Sequence, residues 1–91
     1  MIAEHELIEQ MECDELGWSL ERVCDFLLSL EKERPFEVLR AMWRASYIEL
    51  VDAEGARLPE WRCEEVWRLE DKSAAVRIVG TDAGSDWVSN G

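Results

Sequence analysis

Few side chains in this 91-residue sequence could support catalysis or hold a metal ion. There are three cysteines, Cys13, Cys24 and Cys63, and a single histidine, His5. No two cysteines have C-x-x-C spacing, and a tetrahedral zinc site normally takes four thiolate or imidazole ligands at short spacings. His5 has no nearby cysteine or serine with which to form a nucleophilic pair, and the many carboxylates offer no distinct acid–base pair. We therefore expect reduced, buried thiols and no catalytic site, no metal and no cofactor.

Charge is distributed unevenly along the sequence. The net charge is −11, and residues 1–33 hold ten acids against only Arg22 and Lys32. Residues 34–77 hold nine acids and eight bases, so this middle part is close to neutral. Because contacts to phosphates dominate the affinity of proteins for nucleic acid, an acidic chain with few uncompensated bases is a poor DNA binder.

Length and composition predict one folded domain over residues 1–91. The chain is long enough for a single core and too short for an enzyme with separate cofactor and substrate lobes. Apolar residues make up 47% of the sequence and include five tryptophans, which argues against disorder. The start MIAEHELIEQ has no basic region followed by a long apolar run, and no segment reaches transmembrane length. We expect a soluble cytoplasmic protein without a membrane partner, and no small-molecule substrate is evident.

Three amphipathic helices are predicted in the first half. The first lies in AEHELIEQMECDEL, with Leu7, Ile8, Met11 and Leu16 at near-helical spacing, and Gly17 ends it. The second, SLERVCDFLLSLEKE, takes Ser19 as its N-cap and collects its apolar residues on one broad side. That apolar side comprises Leu20, Val23, Cys24, Phe26, Leu27, Leu28 and Leu30. The third, PFEVLRAMWRAS, begins at Pro35 because proline fits the first turn of a helix.

The second half alternates strands with helical or irregular segments. Tyr47 to Val51 is a β-branched and aromatic strand, and Asp52 to Gly55 forms its turn. The segment 57–73 reads either as a helix starting after Pro59 or as an irregular excursion with a short strand. AAVRIV is the second strand, and TDAGSDWV is a turn and short helix capped by Thr81 or Asp82.

This order resembles the winged helix-turn-helix family of bacterial regulators over about residues 5–89. LERVCDFLLSLEKERPFEVLRAMWRASYIELVD is similar to that family's second helix, third helix and first wing strand. VRIVGTDAG is similar to its returning wing strand and the LTxAG turn that follows. The resemblance implies an α+β fold: a three-helix winged helix-turn-helix with a small antiparallel wing, an inserted wing segment at 52–74 and a short C-terminal helix. The family's glycine before the wing is replaced by Ala45-Ser46, so a non-glycine residue must form the left-handed cap there or the cap must be avoided.

The resemblance also implies DNA-binding positions. In the family the third helix enters the major groove, so Arg40 and Arg44 would read bases while Arg34 and Arg57 would contact phosphates. The competing interpretation is that Glu37 pairs with Arg40 at i+3 on an ordinary solvated helix face. We favour that interpretation because of the acidic charge.

Tryptophans indicate a different partner. Trp61 and Trp67 lie in the inserted segment beside Arg62 and Arg68, where an amphipathic element could dock onto the body or onto a second chain. Trp43 and Trp87 are expected in the core. The sequence thus predicts a non-enzymatic regulatory module that binds a protein partner or forms a homodimer through Trp61, Arg62, Trp67 and Arg68. A DNA-binding transcriptional regulator is the alternative.

Overall fold

Helices and strands alternate along the chain. The structure is a computed structural model, and it describes residues 3–12, 14, 17–72 and 75–90. In order, the elements are α1 Ala3–Met11, β1 Trp18–Ser19, α2 Leu20–Ser29, α3 Pro35–Arg44, β2 Ile48–Asp52, α4 Glu60–Leu69, β3 Val76–Gly80 and α5 Asp82–Asn90. The predicted mixed α+β class is therefore confirmed. The predicted positions Cys13, Leu16 and Ala74 lie outside the described residues.

The three strands form one antiparallel sheet in the order β1-β3-β2. Ile78 of β3 pairs with Trp18 on one side and with Leu50 on the other, so the last strand in sequence is central. Both strands of the β2–β3 pair were predicted, whereas the two-residue β1 was not. Beyond the turn at Gly55, the Leu58 N–H donates to the Leu50 carbonyl at 3.0 Å and partly covers the outer edge of β2.

Helix starts follow the predicted caps. The Arg22 N–H donates to Ser19 Oγ at 3.2 Å at the start of α2, and Pro35 opens α3. The Gly84 N–H donates to Thr81 Oγ1 at 3.0 Å, which identifies Thr81 as the cap of α5. The end of α1 differs from the prediction, because this helix stops at Met11 and does not continue to Gly17.

A left-handed residue joins α3 to β2. Ser46 has φ of 66°, its N–H donates to the Trp43 carbonyl, and the Tyr47 N–H donates to the Met42 carbonyl, both at 3.0 Å. This pair of hydrogen bonds is a Schellman motif, which normally takes glycine at the left-handed position. The cap expected at Ala45-Ser46 is therefore formed, and Ser46 adopts the strained conformation.

The start of α5 is fastened to that joint. The Thr81 N–H donates to the Tyr47 carbonyl at 3.1 Å, and Thr81 Oγ1 donates to the Ser46 carbonyl at 2.5 Å. Trp87 stacks on Tyr47 with ring centroids 4.2 Å apart, and the His5 ring meets Trp87 edge-on at 4.1 Å. The GTDAG turn thus brings the C-terminal helix against both α1 and the joint between α3 and β2.

The core draws on every helix and on all three strands. Its largest fully buried side chains are Leu7, Ile8, Leu20, Leu27, Leu39, Ile48, Leu50 and Ile78, followed by Val23, Val66 and Cys24. Trp43 and Trp87 are partly buried against it. On α3, Phe36, Leu39 and Met42 are buried while Glu37, Arg40 and Arg44 are exposed, so this helix is amphipathic as predicted. Leu28 departs from the face predicted for α2 and is 44% exposed.

Candidate functional site

The inserted segment folds as a helix that packs on α3. The carbonyl of Pro59 accepts hydrogen bonds from the Arg62 and Cys63 N–H groups, both at 3.1 Å, which fixes the start of α4. The helical interpretation of this segment is therefore confirmed. Cys63, Val66 and Trp67 form the buried side of α4.

Trp67, one of the predicted interface residues, belongs to the core. It is 4% exposed, and its ring lies 6.4 Å from that of Phe36 and 6.2 Å from that of Trp43. Both neighbours are on α3, so Trp67 anchors α4 to this helix and does not belong to the outer face of α4. The sequence placed Trp61 and Trp67 together, but six residues along a helix put them on different sides.

The outer face of α4, formed by Trp61, Glu65, Arg68 and Leu69, points away from the core. Trp61 is 69% exposed and Leu69 is 60% exposed. Arg62 pairs with Glu65 within the helix, whereas Arg68 makes no ion pair with the described residues. Leu69 was not among the predicted interface residues. It follows Trp67 by two residues, which places it on the opposite side of a helix, and this spacing could have revealed it.

Carboxylates lie beside three of the four predicted DNA-binding arginines. Arg34 is 3.1 Å from Glu37 across one turn of α3. Arg57 is 2.9 Å from Glu49 of β2. Such exposed pairs add little to stability, roughly 0–1 kcal/mol each. Their effect here is electrostatic, since each places a negative charge where a phosphate would have to bind.

Arg40 binds an acid on the inserted helix. Its guanidinium is 2.9 Å from Glu64 of α4, so the expected i+3 pair between Glu37 and Arg40 is wrong. Glu37 turns instead toward Arg34. Arg44 is the exception among the four, because within the described residues it has no carboxylate within 4.0 Å. Sequence spacing favoured the local partner and gave no sign that α4 would come close enough to compete.

The two described thiols are poor nucleophiles at neutral pH. Cys24 and Cys63 are free and buried. Burial raises the pKa of Cys24 from 9.0 to about 11 and also raises the pKa of Cys63. Because the thiolate is the reactive form, both side chains behave as small core residues at neutral pH.

The described ranges contain neither a metal-binding cluster nor a membrane-spanning helix. No cluster of three histidine, cysteine or acidic side chains there could hold a metal ion. None of the five described helices combines the length and apolar character needed to cross a bilayer. His5, the one histidine, packs against Trp87 and lies far in sequence from the α3–α4 surface.

Comparisons with known proteins give no relative. No protein-family model, no curated protein and no solved structure matches the chain. Indications of function therefore come from the exposed residues of α3 and α4, chiefly Arg40, Arg44, Trp61 and Leu69.

Proposed function

We propose that this chain is a small, non-enzymatic winged-helix module that binds protein, a second copy or a regulatory partner, through the outer face of α4. In this assignment α2 and α3 form the helix-turn-helix pair, β2 and β3 form the wing, and α4 is an insertion in the wing connection. The order of elements and the antiparallel β2–β3 pairing support the assignment.

The exposure of Trp61 and Leu69 carries the protein-binding proposal. Both large apolar side chains lie on a ten-residue helix whose inner side is already anchored by Trp67. Tryptophan is enriched among the residues that dominate binding energy, and Arg68 beside it provides a charged rim. A docking partner would remove both apolar side chains from water without any change in how α4 packs.

Self-association is tested by light scattering after gel filtration at increasing protein concentration. The wild type is expected to gain mass toward a dimer, and Trp61→Ala is expected to remain a monomer at the same concentrations. Leu28→Ala is the matched control, because it removes an exposed apolar side chain that does not lie on α4. A wild type that stays monomeric throughout contradicts self-association through this face.

DNA binding is retained as the second function because of Arg44. Among the described residues this side chain has no carboxylate within 4.0 Å. It extends from the exposed side of α3, the helix that enters the major groove in winged-helix regulators. An anisotropy titration with random duplex at low salt tests it directly. The absence of binding at high micromolar protein would remove the nonspecific electrostatic attraction on which this function depends.

A further inference from the structure

A groove that adjoins the outer face of α4 at Arg68 lies between three helix ends. It runs between the end of α2, the start of α3 and the end of α4, and has a volume of about 790 Å³. The exposed side chain of Leu28 and the edges of the nearly buried Phe36 and Trp67 form its apolar surface. Pockets that hold ligands commonly have volumes of roughly 300–1,000 Å³ and pair apolar walls with a few polar groups. The groove is therefore large enough for several side chains of a partner.

Bases surround this groove on a molecule that is otherwise acidic. Arg34, Arg40, Arg68 and Lys72 line it, together with Glu33, Glu37 and Glu70. Arg34 and Arg40 have acidic partners, but Arg68 and Lys72 form no ion pair with the described residues. Two cations are therefore available to a ligand.

The charge contrast continues into the neighbouring depression along α3, beside which Glu64 pairs with Arg40. The neighbouring depression along α3 adds Arg44, so the linings of the two depressions hold five bases and three acids. The rest of the sequence holds five bases and eighteen acids. An acidic ligand is attracted to this face and repelled by the remainder of the molecule.

Trp67, which lines the groove, carries a buried polar atom. The indole Nε1 of Trp67 is buried and has no hydrogen-bond acceptor within the described part of the chain. Buried donors without an acceptor are uncommon in folded proteins, so among the described residues this indole is the one polar group in the apolar wall of the groove that lacks a partner.

We propose that this groove binds a short acidic peptide segment of another protein. An apolar side chain of the peptide packs against Leu28, Phe36 and Trp67, and its carboxylates lie beside Arg68 and Lys72. This site goes beyond the proposed docking through Trp61. It shares Arg68 with the outer face of α4, but its apolar contacts come from other residues and its partner is an acidic peptide.

Nucleic acid fits the same surface less well. Duplex DNA carries one negative charge per roughly 1.7 Å of its axis, so its phosphates could not avoid Glu33, Glu37 and Glu70 while reaching the bases. A peptide can place two carboxylates opposite the available cations and an uncharged side chain elsewhere. The apolar surface also has no counterpart in a phosphate backbone.

The test is an anisotropy titration of the full chain with a fluorescein-labelled eight-residue peptide that alternates aspartate with leucine and phenylalanine. Saturable binding is expected, with at least a tenfold loss when aspartate is replaced by asparagine in the peptide. In the protein, Arg68→Glu/Lys72→Glu should weaken binding at least tenfold, and Leu28→Ser severalfold. All three positions are exposed, so circular dichroism should show unchanged folding.

Control measurements separate this site from the outer face of α4. Trp61→Ala should bind the peptide within twofold of the wild type, even if it abolishes self-association. No saturable binding at millimolar peptide, equal binding of the asparagine peptide, or an unaffected double variant would each overturn the proposal. Tighter binding of a random duplex than of the peptide at the same salt concentration would also overturn it and favour nucleic acid as the ligand.

Discussion

Gly84 lies where α5 crosses the backbone between α3 and β2. A Cβ atom at this position would stand 2.3 Å from the Tyr47 carbonyl oxygen, far inside van der Waals contact. Because the obstacle is backbone, Gly84→Ala should force α5 away from the Tyr47–Trp87 stack and lower the free energy of unfolding by about 2–3 kcal/mol. Urea unfolding followed by tryptophan fluorescence measures the loss.

The matched control for that substitution is Gly80→Ala. The nearest atom to a Cβ at Gly80 is Ile8 Cγ2 at 3.9 Å, which is ordinary contact. Alanine should therefore change stability by less than about 1 kcal/mol there, with a gain favoured because glycine is costly in a strand. Equal unfolding midpoints for the two variants would mean that the approach of α5 to Tyr47 is not tight.

At the scale of elements, the α3–β2 joint depends on one strained residue. Ser46 has φ of 66°, whereas its neighbour Ala45 is in the ordinary right-handed region with φ of −81°. Left-handed backbone costs an L-residue about 1–2 kcal/mol and costs glycine almost nothing. Ser46→Gly should therefore stabilise the protein by about 0.5–1 kcal/mol in thermal or urea unfolding.

Glycine at the preceding residue should have the opposite effect on stability. Ala45→Gly adds freedom to the unfolded chain without relieving any strain, so it should destabilise by about 0.5–1 kcal/mol. The Thr81 hydroxyl donates to the backbone carbonyl of Ser46, and this hydrogen bond survives in both variants because neither removes that carbonyl. Destabilisation by Ser46→Gly would show that the Schellman motif does not limit stability.

Periodicity in the sequence predicted the positions of helices and strands well. It predicted less well which residues of each element pack against a neighbour. It identified the helix after Pro59 as one of two interpretations and both long strands, because each carries a cap or a β-branched run. It missed β1, since two residues are too few to show alternation. It also placed Leu28 inside and Trp67 at an interface, because a helical pattern gives relative faces but not the neighbour that each face meets.

The candidate site was predictable in part for the same reason. Exposed arginines on α3 and an exposed tryptophan on α4 follow from local patterns, and both are observed for Arg40, Arg44 and Trp61. The groove at Leu28 required the packing of three helix ends, and the Arg40–Glu64 pair joins residues 24 positions apart. Neither feature has a local signature.

On the scale of the whole molecule, charge placement decides which partner is favoured. The groove and the depression along α3 hold five of the ten bases. Carboxylates lie within 3.1 Å of two of these, Arg34 and Arg40, and of Arg57 after β2. These local acids, together with the net charge of −11, oppose a continuous row of phosphates. They leave discrete cations that suit a protein ligand with a few carboxylates.

Removing the local acids should therefore create nonspecific DNA affinity. In Glu37→Gln/Glu49→Gln/Glu64→Gln the three arginines lose their partners and the net charge falls in magnitude from −11 to −8. We expect no binding of a random duplex by the wild type at low salt and weak binding by the triple variant. That binding should weaken as salt is added. The logarithm of the binding constant should fall linearly with the logarithm of the salt concentration, with a slope of roughly −0.9 for each phosphate contacted.

The control removes equal charge from the opposite part of the sequence. Glu6→Gln/Glu9→Gln/Glu12→Gln also gives a net charge of −8 but alters carboxylates at α1, away from the paired arginines. If both triple variants bind DNA equally, total charge excludes the duplex and the ion pairs are incidental. If only the first binds, Glu37, Glu49 and Glu64 are the residues that keep the duplex away, and α4 contributes to this effect through Glu64, the partner of Arg40.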